Sequence, residues 1–188
     1  MVDGGSTDGT IGRAAAHCDI VLKDEKGRAR QMNAGARAAQ GDALVFLHAD
    51  TRLPGDADRA IFKALDSARW GRFDVRIDSS HPMLVVVAWA MNLRSRLTGI
   101  ATGDQAIFVR RDAVAGFPVL PLMEDVAFSA QMKRQGAPAC LRERVVTSGR
   151  RWEQRGVLRT ILLMWRLRFL YWLGVPARRL ARDYADPR

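Results

Sequence analysis

Apolar and polar positions along the chain alternate between two spacings, and the switches mark its elements. "DIVLKD" (19–24) reads as a short strand. "GRARQMNAGARAAQG" (27–41) is rich in helix formers, with Gly41 placed as a C-terminal stop, and predicts a helix. "DALVFLHADT" (42–51) is a nearly continuous apolar run, the pattern of a central parallel strand covered on both faces. It breaks off in His48, Ala49, Asp50 and Thr51. "PGDADRAIFKALDS" (54–67) begins with a proline suited to a first helical turn and predicts a second helix. "GRFDVRID" (71–78) alternates as a half-buried strand does. "MLVVVAWAMNL" (83–93) reads as a buried helix after His81 and Pro82. A strand follows over Ala106 to Val109. "MEDVAFSAQMKRQG" (123–136) predicts a helix with Phe128 and Met132 on its inner face. The stretch 138–152 holds a last strand and a basic loop. The order of strands and helices, joined by short turns, predicts an α/β domain with a mostly parallel sheet flanked by helices.

The run "VLRTILLMWRLRFLYWLGV" (157–175) changes the organisation. It carries Arg159, Arg166 and Arg168, so it is no membrane span, which needs about 18–20 apolar residues. Arg159 and Arg166 share one helix face and Arg168 falls nearly opposite. Two readings stand: a C-terminal helix packed on the domain, or an interfacial helix with Trp165, Tyr171 and Trp172 at the level of lipid headgroups. The expected division is a catalytic domain over 1–156 and a C-terminal amphipathic helix with a basic tail over 157–188.

A length of 188 residues and 48% hydrophobic content fit a single globular unit with a real core. Cys18 and Cys140 are too few for a disulfide framework, and the simplest compartment is a reducing cytoplasm. The net charge is +10, and all but four of the 30 basic residues are arginine. Such a surface attracts anionic lipid or phosphorylated ligands. The arginines are scattered, however, and this argues against nucleic acid as the partner.

In parallel sheets ligands bind beyond the carboxyl ends of the strands. That rule selects "DGGSTD" (3–8), His48 to Asp50, and the loop leading to Glu124 and Asp125. Taken singly, each has a plain structural reading: a turn, a helix cap, and acids that complement a helix dipole. Their order and spacing carry more. "VDGGSTDGT", "GRARQMNAGARAAQGDALVFLHADT", "TGDQAIFVRRDAVAGF", "MEDVAFSAQMKRQG" and "GRRW" together resemble the family 2 glycosyltransferases, and most of all the bacterial subgroup called radical-SAM/selenodomain-associated transferase 2.

The resemblance implies a GT-A fold, a nucleotide-sugar donor, an acceptor of unknown chemistry that includes lipid-linked ones, a divalent metal (Mg²⁺ or Mn²⁺) on the diphosphate, and inversion at the sugar carbon. Asp3 matches the acid that recognises the nucleoside, Asp8 stabilises its loop, and Arg28 lies where some members carry a basic residue near the base. Asp50 matches the metal-holding carboxylate of an Asp-x-Asp motif whose first Asp is here His48. Asp125 matches the general base, with Glu124 beside it to tune it or to bind acceptor hydroxyls; the two roles can also be exchanged. Gly103, Asp104 and Gln105 match a loop lining the donor-sugar or acceptor side. Arg150 and Arg151 match a loop that neutralises the leaving diphosphate, and Trp152 is placed to stack on a sugar. A basic surface loop is the plain alternative for 150–152; His48 can contact the ribose of the donor, ligate a metal such as Mn²⁺, or simply pack at the strand end.

Family members carry a strand, a helix and a second strand ahead of the Asp3 motif. The expectation is therefore that Asp3 closes a strand whose body lies upstream, and that this chain is an N-terminally shortened form. The expected location is cytoplasmic, at most peripheral on the inner face of the cell membrane. Competing functions are an inactive nucleotide-binding fragment, a nucleotidyltransferase, and a basic module that binds membrane or nucleic acid.

Overall fold

A computed structural model describes residues 1–185. Strands β1 (Val2–Asp3) and β2 (Leu22–Lys23) pair in parallel as a small ribbon, with α1 (Thr10–Ala15) between them. Helix α2 (Arg28–Ala38) leads into β3 (Ala43–Phe46) and β4 (Thr51–Arg52). Then come α3 (Ala57–Leu65), β5 (Trp70–Asp78), α4 (Pro82–Thr98), β6 (Ile107–Arg110), α5 (Glu124–Met132), β7 (Ala139–Ser148), α6 (Arg150–Arg155), α7 (Val157–Trp172) and α8 (Ala177–Ala185). The basic stretch after β7, expected as a loop, is the helix α6.

The main sheet has the order β3-β6-β5-β7-β4. It is mixed: β5 and β7 run parallel, whereas β3–β6, β6–β5 and β7–β4 are antiparallel. The run around β3 was expected to form a central parallel strand. It forms an end strand of this sheet, paired antiparallel with β6. Its apolar residues are still covered on both faces, which explains the unbroken hydrophobic run.

Side chains alternate across the strands and so feed two cores. Phe108 joins Phe73, Val75 and Ile77 on one face, beneath α3 and α4. Ile107 and Val109 join Leu44, Phe46, Trp70 and Phe128 on the other, beneath α2 and α5. A third cluster gathers Leu167 and Leu180 of α7 and α8 around Leu122 and Met123, next to α5.

Helix α4 starts at Pro82, where the Nδ1 of His81 accepts from the Met83 N–H at 3.3 Å. It was expected to be buried, and it is so on one side only. Leu84, Val87 and Ala88 face the core, while Val85, Val86, Trp89 and Leu97 are exposed. Beneath it lies a buried charge network. The Arg72 guanidinium donates to Asp74, which Arg96 also meets at 2.7 Å, and Asn92 holds both the N–H and the carbonyl of Val75. Val157 of α7 sits in the same core as Leu84.

Candidate active site

A cavity of about 1100 Å³ opens where the end of β3, the start of α5, α6 and α7 meet. Asp50, Asp104, Asp125, Arg28, Arg150 and Arg168 all line it. Three sequence segments far apart along the chain thus place their acids on one concave surface.

The Glu124–Asp125 pair opens α5. Met123, the residue before it, is buried and adopts φ 65, a left-handed conformation that costs a non-glycine residue about 1–2 kcal/mol. This reversal turns the two acids into different surroundings. The Asp125 carboxylate lines the cavity; it accepts the Gly103 N–H at 3.1 Å and the Val126 N–H at 2.8 Å. Glu124 turns inward and is 2% exposed. Its Oε1 meets Arg28 Nε at 2.7 Å, and its Oε2 is buried without a hydrogen-bond partner. Burial pushes the Glu124 pKa up and the Asp125 charge adds to this, against the pull of Arg28.

His48 follows β3 and meets Asp104 across the cavity wall, with Nδ1 and Oδ1 3.6 Å apart. A Cβ on Gly103 would collide with the imidazole, so only glycine lets the ring lie there. Burial alone would lower the His48 pKa, but the Asp104 carboxylate outweighs it and leaves it raised. Burial likewise opposes ionisation of Asp104, and His48 nonetheless holds that carboxyl below its ordinary range. A raised histidine stabilises the fold fully below its ordinary pKa of 6.5 and loses this as pH rises through the folded value. A depressed carboxyl stabilises above its ordinary 3.8 and loses this as pH falls through the folded value. The pair therefore contributes most between 3.8 and 6.5. The contribution is modest, because the Asp104 side chain is 42% exposed. The melting deficit of His48→Gln against the parent should shrink between about pH 6 and about pH 8. A deficit that stays constant would show that the pair is not ionic.

Asp50 is exposed on the cavity rim, and its carboxylate accepts only a long 3.4 Å contact from the Thr51 hydroxyl. Among the described residues no group of three or more His, Cys, Asp or Glu side chains could hold a metal ion. Asp50 thus supplies a single free carboxylate. A cation there would have to complete its shell with ligand oxygens, which suits Mg²⁺ bound to a diphosphate.

Arg150, Arg151 and Trp152 lie on α6 and line the cavity. Gly149 permits this placement: a Cβ there would come within 2.7 Å of the Ser79 Cβ and 2.8 Å of the Asp78 carbonyl oxygen. Arg151 donates to the Tyr184 hydroxyl at 2.5 Å, while Trp152 packs against the first core.

Besides Glu124, the expected residues Gln105 and Asp3 lie apart from this surface, and so does Asp8. Gln105 is fully buried, where it closes the turn at Thr102 and donates to Asn92 at 3.4 Å. Asp3 is buried, with its carboxylate turned back on its own loop; it accepts from the Gly5 N–H at 2.7 Å, the Ser6 N–H at 2.8 Å and the Ser6 hydroxyl at 2.5 Å. These bonds, that of the Ser6 hydroxyl foremost, hold its pKa below the usual range. They use three of about four lone-pair positions. Asp8 binds the Thr10 hydroxyl at 2.5 Å and serves its own turn.

Arg168 and Arg94 are the residues that sequence reasoning missed. Arg168 reaches from α7 into the cavity, where the charges of Asp125 and Asp104 act on it. The available signal was its position opposite Arg159 and Arg166, which took it off the solvent face.

A family model described as "Glycosyl transferase family 2" matches residues 1–113. The chain belongs to that family. A sheet flanked by helices, with its acids gathered at one cavity, is consistent with a GT-A type domain. No curated protein matches this family 2 chain. Among solved structures it is similar in fold to one titled "Crystal Structure of a Mycobacterial Protein", with TM-score 0.53 and 20% identity. That likeness covers 78% of this chain, and the chain spans 53% of the mycobacterial protein.

Proposed function

We propose that this family 2 domain transfers a sugar from a nucleotide-diphosphate sugar to an acceptor hydroxyl, with Asp125 as general base and inversion at the sugar carbon. The observation that carries the reading is one cavity lined at once by Asp125, the rim carboxylate Asp50 and the arginines of α6. Asp125 takes the acceptor proton as the hydroxyl oxygen bonds to the anomeric carbon. The bond from that carbon to the diphosphate breaks on the opposite side, and the departing charge falls near Arg150 and Arg151. Asp50 would hold Mg²⁺ or Mn²⁺, which neutralises diphosphate charge when bound. His48 and Asp104 line the donor-sugar side, and Trp152 offers an aromatic face to a sugar. Arg28 holds Glu124, and Asp3 acts on the nucleoside through the loop it shapes. We place the chain with the radical-SAM/selenodomain-associated transferases 2 on its motifs.

The same reading puts the chain at the cytoplasmic side of a membrane, bound peripherally. No helix among the described residues is long and apolar enough to cross one. On α7, Leu158, Leu162, Trp165, Phe169 and Trp172 form an exposed apolar stripe at helical spacing, which supports interfacial contact by a chain of charge +10. Tyr171, expected on that stripe, packs inward in the third core.

Calorimetric titration with UDP and GDP, with and without Mn²⁺, tests the donor site. Metal-dependent binding to one of them is expected, lost by about tenfold or more in Asp50→Ala. Binding indifferent to both Mn²⁺ and Asp50 would remove the metal from this reading.

A further inference from the structure

A second cleft, of about 490 Å³, lies between α4 and α7 and is lined by Arg94, Trp165, Arg166, Arg168 and Phe169. Three guanidinium groups line it and, among the described residues, no carboxylate does. Arg166 is turned to Asp183 at 3.1 Å. The other two are not so satisfied. The Nε and Nη2 atoms of Arg94 are buried and make no hydrogen bond. Burial, with the charges of Arg168 and Arg72 beside it, pushes the Arg94 pKa down to about 10, against the pull of Asp125. Burial lowers that of Arg168 as well, against Asp125 and Asp104. Arg72 is already engaged by Asp74 and by the Asn92 carbonyl, so the net excess near the cleft rests on Arg94 and Arg168.

A buried guanidinium without an acceptor is costly, and the like charge of Arg168 beside Arg94 adds to the cost. An anion with several oxygens relieves this, since each planar fork can take two of them. Two forks on different helices suit a tetrahedral phosphate better than a single carboxylate. The lips of the cleft add a second requirement. Trp165 is 71% exposed and Phe169 58%, and the apolar surface continues along α7 to Leu162 and Trp172. Trp89 and Leu97 of α4 are also exposed. Finally, Arg168 lines the cleft and the main cavity alike, so a group held there lies one side chain from Asp125.

We propose that the cleft between α4 and α7 is an acceptor subsite, and that the acceptor is an amphiphile whose phosphate is held by Arg94 and Arg168 while its apolar tail lies along Trp165 and Phe169. The acceptor role rests on the transferase reading; the binding site does not.

The test uses the full chain and three probes: dodecyl phosphate below its micellar concentration, inorganic phosphate, and dodecyl maltoside as an uncharged amphiphile. Dodecyl phosphate is expected to bind best. Arg94→Gln and Arg168→Gln should each weaken it by about tenfold or more, the loss of one charge-assisted interaction. Arg142→Gln, at an exposed position on β7, should leave it unchanged. Trp165→Ala, on an exposed lip that folding does not need, should weaken dodecyl phosphate and spare inorganic phosphate. Equal binding of dodecyl maltoside, or indifference to Arg94 and Arg168, would overturn the phosphate site. Equal binding of inorganic phosphate would overturn the amphiphile. Binding should persist when Mn²⁺ and the nucleotide are saturating; displacement by nucleotide would move the phosphate into the donor site and overturn the acceptor role. Failure of the transferase reading shows separately, as absent nucleotide binding beside intact dodecyl phosphate binding.

Discussion

Asp125→Asn is expected to bind nucleotide as the parent does and to lose turnover by about 10²–10⁴-fold, the usual contribution of a positioned general base. The substitution keeps the shape of the side chain. An amide oxygen in place of Oδ2 still accepts the Gly103 N–H now held at 3.1 Å, so the Gly103–Gln105 turn and the His48 ring above it stay where they are. What is lost is the capacity to take a proton, together with the bond from the Val126 N–H, which then faces the amide nitrogen. Glu124→Gln provides the contrast. Glu124 is buried, paired with Arg28 at 2.7 Å and turned away from the cavity, so its loss should act on stability and on Arg28 before it acts on the proton. Initial-rate kinetics beside nucleotide affinity separates the cases. Normal turnover in Asp125→Asn would remove Asp125 as base. A larger loss of turnover in Glu124→Gln would exchange the two roles.

That contrast was only half legible in the sequence. Two adjacent acids at a helix start are visible as letters, but which of them faces the cavity depends on the left-handed turn at Met123, and nothing in the sequence marks a methionine for positive φ. The extents of α2, α3 and α5 follow from their periodicity and from Gly and Pro at their ends. The partners of the strands do not. An apolar run covered on both faces has the same composition whether it lies parallel in the centre or antiparallel at the end of the sheet, and β3 does the second. Polar residues mislead for a related reason. Gln105 reads as a contact in an exposed loop, yet its amide is consumed by the backbone of Thr102 and by Asn92. Arg94 lies just past an apolar run and carries no sequence signal, and the placement of Arg168 opposite Arg159 and Arg166 does not say what it meets. The burial of Arg94 and Arg168 comes from the tertiary placement of α4 and α7, whose Leu84, Val87 and Val157 share one core although they lie some seventy positions apart in sequence.

Phe128→Ala should cost about 3–5 kcal/mol, the range for emptying a buried aromatic site. Phe128 is fully buried and stacks on Phe117 at 4.0 Å and 10°, with Phe46 at 6.2 Å and Trp70 at 6.5 Å meeting its edges. Four aromatic rings from β3, β5, α5 and the loop before it thus share one contact. For a chain of this length the loss corresponds to a fall of about 6–20 °C in Tm, from a total stability of only about 5–15 kcal/mol. The site should suffer with the fold. Phe46 lies two residues before His48, and Phe128 three after Asp125, so this cluster sets the spacing between the end of β3 and the start of α5. Nucleotide affinity and turnover should therefore fall in Phe128→Ala even where it remains folded, and Phe128→Leu should recover most of both. If Phe128→Ala melted with the parent but lost turnover, the cluster would position the site without holding the fold. If it melted early with full activity below its Tm, the acids would be fixed by their own turns at Gly103 and Met123 alone.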